Sequence, residues 1–227
     1  MIYFLFASLT LQNASKSVTI PSRMKHYCQY CPVAHSLEVV GERWSLLIVR
    51  DLMGGPKRYT DLASGLPGIG TNILASRLKD LEAAGVLRKY KLPPPAASQV
   101  YELTEYGREL KSVLFEMARW GARSLGPPQE DDLHPGWLEG ALRMVGYAAP
   151  ECSGRFVFRV GDEVASLANG DAYPGALEDP DAVVETDPEG FYYFFVDRDL
   201  ARSTITGDRA QVEKLLGTLP AVERVAA

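Results

Sequence analysis

Residues 70–85 have the sequence GTNILASRLKDLEAAG, and this stretch decides the fold. Glycine stands at each end, and three leucines at helical spacing form one apolar stripe: Leu74, Leu78 and Leu81. The other face carries polar and cationic side chains with one isoleucine among them: Asn72, Ile73, Ser76, Arg77 and Lys79. Such groups suit base edges and phosphates. The same periodicity fits an ordinary surface helix, so the flanking sequence must decide.

The flanking sequence indicates a winged helix-turn-helix. A short helix begins at Thr60, and LPGIG at 66–70 is a tight connector into the helix of 70–85. Two short helices joined by a few turn residues form a helix-turn-helix whose second helix reads DNA. There follow a strand at 86–92, a proline-rich tip at 93–97, a strand at 99–103 and a helix capped by Thr104. Three cations on this hairpin would meet phosphates, or form the solvated face of any small domain: Arg88, Lys89 and Lys91.

The amino-terminal side predicts two more helices and a pair of cysteines. Pro32 favours a helix start, with apolar spacing that runs to about Gly41. A second helix spans 41–53 and stops at the Gly-Gly-Pro of 54–56. Cys28 and Cys31 are too few for a zinc site, since the second ligand pair is missing. They are either redox-active thiols, favoured by a helix amino terminus, or inert structural ones.

Charge divides the chain into two parts. Residues 24–125 carry 14 Lys and Arg against 10 Asp and Glu, whereas residues 126–227 carry 8 against 19. The positive part suits a polyanion, and the acidic part would be repelled by one. Three cysteines in 227 residues predict a reducing cytoplasm rather than a disulfide-stapled fold. No apolar run approaches the roughly 20 residues of a membrane span.

Residues 1–23 are aperiodic after the short apolar run of Ile2–Leu9. We interpret them as a poorly ordered tail or as sequence upstream of a true start at Met24, with a short membrane-surface anchor as the alternative.

Several blocks in the right order resemble the HxlR-type branch of winged-helix transcription regulators. These blocks are CPVAHSLEVVGERWSLLIVRDLMGG, YTDLASGL, ILASRLKDLEAAGVL and YELTEYG, and the resemblance covers residues 31–121. It implies a homodimer on a pseudo-palindromic operator, with residues 70–85 in the major groove and the hairpin at flanking backbone or minor groove. It implies DNA contacts from Thr71, Asn72, Ser76, Arg77 and Lys79, and phosphate contacts from Arg58 and Thr60.

Two further features follow from that resemblance. Cys31 matches the cysteine at the head of the family pattern, which in some members senses oxidants or electrophiles. The amphipathic helix predicted at 105–125 would pair with the first helix of the partner subunit, although packing within its own domain explains its apolar stripe equally well. This chain departs from the family at the hairpin tip, which is rich in Pro and Ala and has no charge between Pro93 and Gln99.

The acidic half has a different pattern of elements. A Pro-rich, then acidic linker at 126–134 precedes a helix at 137–147. Strands at 155–160 and 163–167 flank the two-residue turn Gly161-Asp162, and further strands are predicted at 182–186 and 203–206. Helices at 187–195 and 209–219 complete an α+β domain with a mostly antiparallel sheet.

This order resembles the sterol-carrier-type lipid-binding domain, through RFVFRVGDEVASLANG, AVVETDPEGFYYFF and STITGDRAQVEKLL. The resemblance implies an apolar cavity between the sheet and the helices. The candidate residues that would line it are Trp137, Leu142, Met144, Phe156, Phe158, Tyr192, Phe195 and Leu216. The alternative is that these side chains are ordinary core residues with no ligand among them. The aromatic run FYYFF exceeds what one helix buries on one face, so a ligand, the winged domain or a second subunit must cover the rest.

No catalytic, metal or cofactor site is evident, since His26, His35 and His134 lie in unrelated segments and no phosphate loop or nucleophile motif occurs. The predicted architecture is α+β, with a tail at 1–23, a winged helix-turn-helix domain for DNA binding and dimerisation at 24–125, a linker at 126–134 and a sterol-carrier-like domain at 135–227. The predicted function is a homodimeric, cytoplasmic repressor on double-stranded DNA with a small apolar effector. The alternatives are a constitutive regulator with a carboxy-terminal docking module, or a thiol sensor acting through Cys31.

Overall fold

The computed structural model describes residues 26–129 and 133–224. The predicted tail at 1–23 and the acidic stretch of the linker at 130–132 therefore lie outside the described residues. Within the described ranges, no helix is long and apolar enough to cross a membrane. Buried side chains gather into two hydrophobic cores, one drawn from residues 39–103 and the other from residues 138–219. The boundaries of the two domains stay a prediction.

The first core is enclosed by six helices and a small sheet. Pro32 starts the first helix directly after the extended Cys31, and Gly85, with φ of +73°, lets the chain turn after the fourth. The elements are α1 Pro32–Val40, α2 Ser45–Leu52, β1 Lys57–Arg58, α3 Tyr59–Gly65, α4 Thr71–Ala83, β2 Leu87–Lys91, β3 Gln99–Leu103, α5 Glu105–Arg108 and α6 Leu110–Ala122.

Three features of the first half of the chain, residues 26–129, differ from the sequence prediction. Helix α2 begins at Ser45 rather than Gly41, because Trp44 has a left-handed φ of +82° that no helix accommodates. Residues 57–58, where the sequence indicates no strand, form an edge strand of the sheet order β1-β3-β2. The single helix predicted at 105–125 is divided at Glu109 into α5 and α6, and the second part ends at Ala122.

The second core lies between a five-stranded sheet and three helices. Its elements are α7 Trp137–Ala148, β4 Arg155–Val160, β5 Glu163–Ala168, β6 Asp171–Pro174, β7 Ala182–Thr186, α8 Pro188–Val196, β8 Thr204–Gly207 and α9 Arg209–Thr218. The strand order is β6-β5-β4-β7-β8, and only the β4–β7 pairing is parallel. The predicted α+β class with a mostly antiparallel sheet is confirmed for the described residues.

Strand β6 was not predicted. It returns from β5 through Asn169 and Gly170, which both have positive φ, +52° and +77°. Asn-Gly is the preferred pair for a two-residue hairpin turn, so the signal was present in the sequence.

Aromatic rings fill the second core. Phe158, fully buried on β4, meets the rings of Phe191, Phe194 and Phe195 on α8 at centroid distances of 6.2, 6.0 and 5.6 Å. The contacts with Phe191 and Phe194 are edge-to-face, a geometry that adds to the free energy gained by burial, and the contact with Phe195 is tilted. Three of the five aromatic residues of FYYFF therefore pack in the second core, which lies in the second half of the chain (residues 133–224).

The two halves touch at several points. Helix α6 packs against α7, with the ammonium of Lys111 3.7 Å from the ring centroid of Tyr147. The hydroxyl of Tyr192 donates a hydrogen bond of 2.7 Å to the carbonyl of Leu125. The first half therefore covers part of the aromatic run FYYFF that α8 does not bury in the second core.

Gly107 provides a test of the packing between α5 and the start of the wing. A Cβ at this position would lie 1.9 Å from the carbonyl oxygen of Val86, which already accepts the Thr104 amide. We expect Gly107→Ala to lower the free energy of unfolding by about 3 kcal/mol, because backbone has to move. Denaturant unfolding of the full chain would measure this.

Gly121→Ala is the matched control, because Gly121 lies on α6 with open space around its Cβ position. It should leave stability unchanged or raise it by up to about 1 kcal/mol. Equal effects of the two substitutions would contradict the close approach at Gly107.

Candidate nucleic-acid interface

The orientation of α4 is set by its apolar stripe. Leu74, Leu78 and Leu81 are 0, 1 and 0% exposed, so the opposite side of the helix faces outward. Thr71, Asn72 and Lys79 are exposed on that side, and Ser76 is half-buried beside them. The outward face of α4 therefore presents hydroxyl, amide and ammonium groups together, and these are groups that can bond to base edges in a DNA groove.

The start of α4 is fixed to the preceding helix. The hydroxyl of Tyr59, the first residue of α3, donates a 2.8 Å hydrogen bond to the carbonyl of Thr71. This bond joins the first residues of the two helices directly. Arg58 and Thr60 lie exposed on either side of Tyr59, so they share its surface next to the amino terminus of α4.

Arg77 is placed differently from its neighbours on α4. Its guanidinium lies 2.8 Å from the Glu42 carboxylate and 3.0 Å from that of Asp80, and its side chain is only 18% exposed. Ser76 also donates toward Asp80, at 3.4 Å. The structure thus brings Arg77 to two carboxylates of its own domain. Asp80 is a neighbour at helical spacing, but no local pattern indicates the pairing with Glu42, which is 35 residues away.

The hairpin of β2 and β3 forms the wing. Arg88 on β2 donates two hydrogen bonds to the Glu102 carboxylate opposite it on β3, at 2.7 and 3.0 Å. Arg108 bonds the other oxygen of the same carboxylate at 3.1 Å. Lys89 and Lys91 are exposed, and within the described part of the chain neither has a carboxylate within 4.0 Å. The two lysines are therefore the more available cations of the wing.

The two predicted redox cysteines lie at the beginning of the described chain. Cys31 is the half-buried amino-terminal cap residue of α1, and Cys28 is exposed with φ of +54°. Both are free thiols. In residues 26–129 and 133–224 there is no group of three or more potential metal ligands. The redox role of the cysteines stays a prediction.

The residues predicted to line an apolar cavity are divided between two places. Leu142, Phe156, Phe158 and Leu216 are packed in the second core, with Phe195 against them. The hydroxyl of Tyr192 is hydrogen-bonded to the carbonyl of Leu125, as described above. Trp137 packs against the same core, with its ring centroid 5.4 Å from that of Phe191, and together with Met144 it also lines a cleft between the two halves of the chain. The predicted set therefore does not surround one space.

An apolar surface remains uncovered on the first half. Val113, Met117 and Trp120 follow one face of α6 and are 45, 50 and 74% exposed. Helix α1 carries Val33 and Leu37, which are exposed as well. Contiguous exposed apolar side chains on helices are typical of a surface that another protein covers.

In a comparison with known protein families, residues 39–129 match the family described as HxlR-like helix-turn-helix. The HTH-type transcriptional regulator YodB of Bacillus subtilis is 37% identical over 98 residues, which are 43% of this chain and 88% of YodB. YtcD of the same organism is 38% identical over 95 residues, 41% of this chain and 74% of YtcD. The solved structure of the reduced form of YodB covers 44% of this chain and 100% of its own, with 35% identity and a TM-score of 0.38.

The pairing of Arg77 generates a prediction about stability. Arg77→Ala leaves Asp80 and Glu42 without their guanidinium, and the Asp80 side chain is only 13% exposed. We expect the free energy of unfolding to fall by about 2 kcal/mol. Lys79→Ala, two residues along the same helix and exposed, should change it by no more than about 0.5 kcal/mol. Denaturant unfolding of the two variants would measure the difference, and a Lys79→Ala effect as large as that of Arg77→Ala would contradict this role.

Proposed function

The chain belongs to the HxlR-like helix-turn-helix family of transcriptional regulators, and we propose that it acts as a homodimeric repressor that reads a pseudo-palindromic operator with α4. The single observation that carries the proposal is the outward face of α4. Its leucines are buried, so its polar residues are held outward on a short helix that follows a helix-turn. This is the arrangement in which a recognition helix enters the major groove.

The groups on this surface divide into two roles. Asn72 and Thr71, in the first turn of α4, are placed to reach base edges, since recognition helices contact bases through their amino-terminal residues. Exposed cations around them would neutralise phosphates and fix the orientation of the protein on the duplex. We assign this second role to Arg58, Lys79, Lys89 and Lys91, with Thr60 as a hydroxyl donor.

Arg77 and Arg88 have another role in this proposal. Because each is bound to carboxylates of its own domain, each would have to give up that pairing to reach a phosphate. We propose that Arg77 positions α4 on the domain and that Arg88 ties the two strands of the wing together. This differs from the direct contact that the family resemblance implied for Arg77 and from the phosphate contact that the charge of the hairpin suggested for Arg88.

The uncovered apolar faces of α6 and α1 support a dimer. A symmetric pair of subunits would bury Val113, Met117 and Trp120 and set two copies of α4 about one helical turn of DNA apart. The family resemblance implies that α6 pairs with α1 of the partner. The exposed side chains on both helices agree with that arrangement.

We propose that the second half is a regulatory domain docked on the first. The contacts of α6 with α7 and of Tyr192 with Leu125 join it to the helix that we assign to the dimer interface. The sterol-carrier-like ancestry stays a resemblance. The aromatic core around Phe158 is filled by its own rings, which favours an effector site elsewhere or a docking role.

DNA selection tests the proposed reading surface. The full chain should enrich a two-half-site duplex from a random pool. On that duplex, Asn72→Ala should weaken binding about tenfold and relax the sequence requirement at one position of each half-site. Lys79→Ala should weaken binding to all sequences. It should also reduce the slope of the logarithm of the affinity against the logarithm of the salt concentration by about 1 for each phosphate that is no longer neutralised. Fluorescence anisotropy over a series of salt concentrations would measure both effects.

Lys214→Ala, an exposed lysine on α9, is the control and should leave the affinity unchanged. Full affinity of the Asn72 and Lys79 variants would contradict the proposed surface.

Sedimentation tests the dimer. Met117→Glu places a charge in the centre of the exposed face of α6, and we expect the dimer to dissociate to monomers, because a buried unpaired charge costs several kcal/mol. Tyr173→Glu, on the exposed edge strand β6, is the matched control and should stay dimeric. A wild-type monomer, or a Met117→Glu dimer as tight as wild type, would contradict the assignment.

A further inference from the structure

A cleft of about 420 Å³ separates the two halves of the chain. Its wall in the first half is formed by the end of α2, the end of α3 and Lys57 on β1. Its wall in the second half is formed by one side of α7, from Trp137 in the first turn to Tyr147 in the last, and by the residues just before the helix. A volume of this size is in the range of sites for small organic molecules. Neither family resemblance implies a site at this place.

Among the charged side chains that line the cleft, one cation lies outside the two ion pairs. Arg50 lies 2.8 Å from Asp51, and Arg143 is paired with Glu139. The fifth charged side chain is Lys57, which forms no ion pair within 4.0 Å in residues 26–129 and 133–224. Burial raises the pKa of the nearby Asp51 carboxyl, and the charges of Arg50, Lys57 and Arg143 oppose this effect, so Lys57 acts on Asp51 at longer range. The lining therefore carries a net charge of +1 in its described residues, centred on a lysine of the first half.

The remaining lining is partly apolar and partly a neutral donor. Met53 and Leu114 face the cleft from the first half, and Trp137 and Met144 face it from the second. Tyr147 adds a hydroxyl, and burial raises the pKa of this phenol, so it stays protonated and can donate. The cleft thus combines apolar surface with one free cation and one hydroxyl donor.

Two charged side chains lie close against glycines in the wall of the cleft. The Arg143 guanidinium from α7 lies against Gly54, where a Cβ would be only 2.9 Å from Nη2. The Asp51 carboxylate lies against Gly65 in the same way, at 2.8 Å. Both glycines line the cleft, and their lack of a side chain leaves room for these two charged groups against the backbone of the wall.

We propose that this cleft binds a small organic anion, a monocarboxylate on an aromatic or similarly apolar body. The carboxylate lies at Lys57 with the Tyr147 hydroxyl as a second donor, and the apolar body lies against Trp137 and Met144. A monoanion matches the single unpaired cation, and a charge-assisted hydrogen bond in a partly desolvated site is stronger than a neutral one. This places the effector between the halves and not inside the second core.

Lys57 connects the cleft to the DNA-reading surface. It pairs with Tyr101 on β3 of the wing, and Arg58 follows it on the same strand. Tyr59 comes next and bonds the first residue of α4. A ligand held by Lys57 and α7 would bias the position of α4 if it binds one arrangement of the halves better than another. This consequence for DNA rests on the proposed function, whereas the binding site does not.

Calorimetric titration of the full chain with 1-naphthoate tests the site, with uncharged 1-naphthamide as the matched probe. We expect one naphthoate per chain and about tenfold weaker binding of the amide. Lys57→Gln should weaken naphthoate binding about tenfold and leave amide binding unchanged. Lys214→Gln, an exposed lysine on α9, should change neither.

Gly140→Leu is the filling variant. Gly140 lies on α7, lines the cleft and has open space at its Cβ position, so leucine enters the cleft without straining the helix. We expect naphthoate binding to be lost while the thermal unfolding curve is preserved. Gly217→Leu, on α9 with open space as well, is the control and should bind as wild type.

The outcomes separate the site from its consequence. Absence of naphthoate binding, or binding that Gly140→Leu leaves intact, overturns the site. Equal affinity for the acid and the amide overturns the anionic ligand. Naphthoate binding with unchanged affinity for the selected duplex overturns the coupling alone. Failure to bind any selected duplex overturns the proposed function, and the titration still decides whether the cleft is a site.

Discussion

Burial of the leucine stripe on α4 is the constraint on which the rest of the structure depends. Each of these side chains contributes about 2 kcal/mol on burial, so turning the helix by half a turn would cost most of the stability of the first core. The stripe fixes which face points outward. The ion pairs of Arg77 and the bond from Tyr59 to Thr71 then fix the direction of the helix on the domain. The polar residues of α4 can be few and short because their position is so well determined.

The two halves differ in charge but share a contact surface. The first half has an excess of cations and presents them around α4 and the wing, where a polyanion would lie. The acidic second half docks through α7 and α8, on the side of the first half formed by α6, Leu125 and the end of α2. Repulsion from DNA and attachment near α6, the helix proposed for the dimer interface, are compatible with a domain that regulates binding without touching the duplex.

Local patterns predicted most of the elements, and long-range contacts account for much of what they missed. The helix of 70–85 and strand 155–160 were visible because apolar periodicity and turn residues are local signals. Strand β1 was missed because two residues become a strand only when β3 pairs with them, and β6 is a four-residue edge strand marked only by its Asn-Gly turn. Asp80, three residues from Arg77 on α4, is a local partner, but the second partner, Glu42, is 35 residues away and could not be seen in the sequence. The cleft at Lys57 is formed by both halves, and the sequence of neither half alone indicates it.

Hydroxyl-radical footprinting of the full chain on its selected duplex tests the central claim most directly, because it reports where two copies of α4 lie. The account predicts two protected patches on one face of the duplex, with centres about 10 base pairs apart and symmetric about the operator axis. One protected patch, or protection without that spacing and symmetry, would contradict a dimer that reads DNA with the outward face of α4.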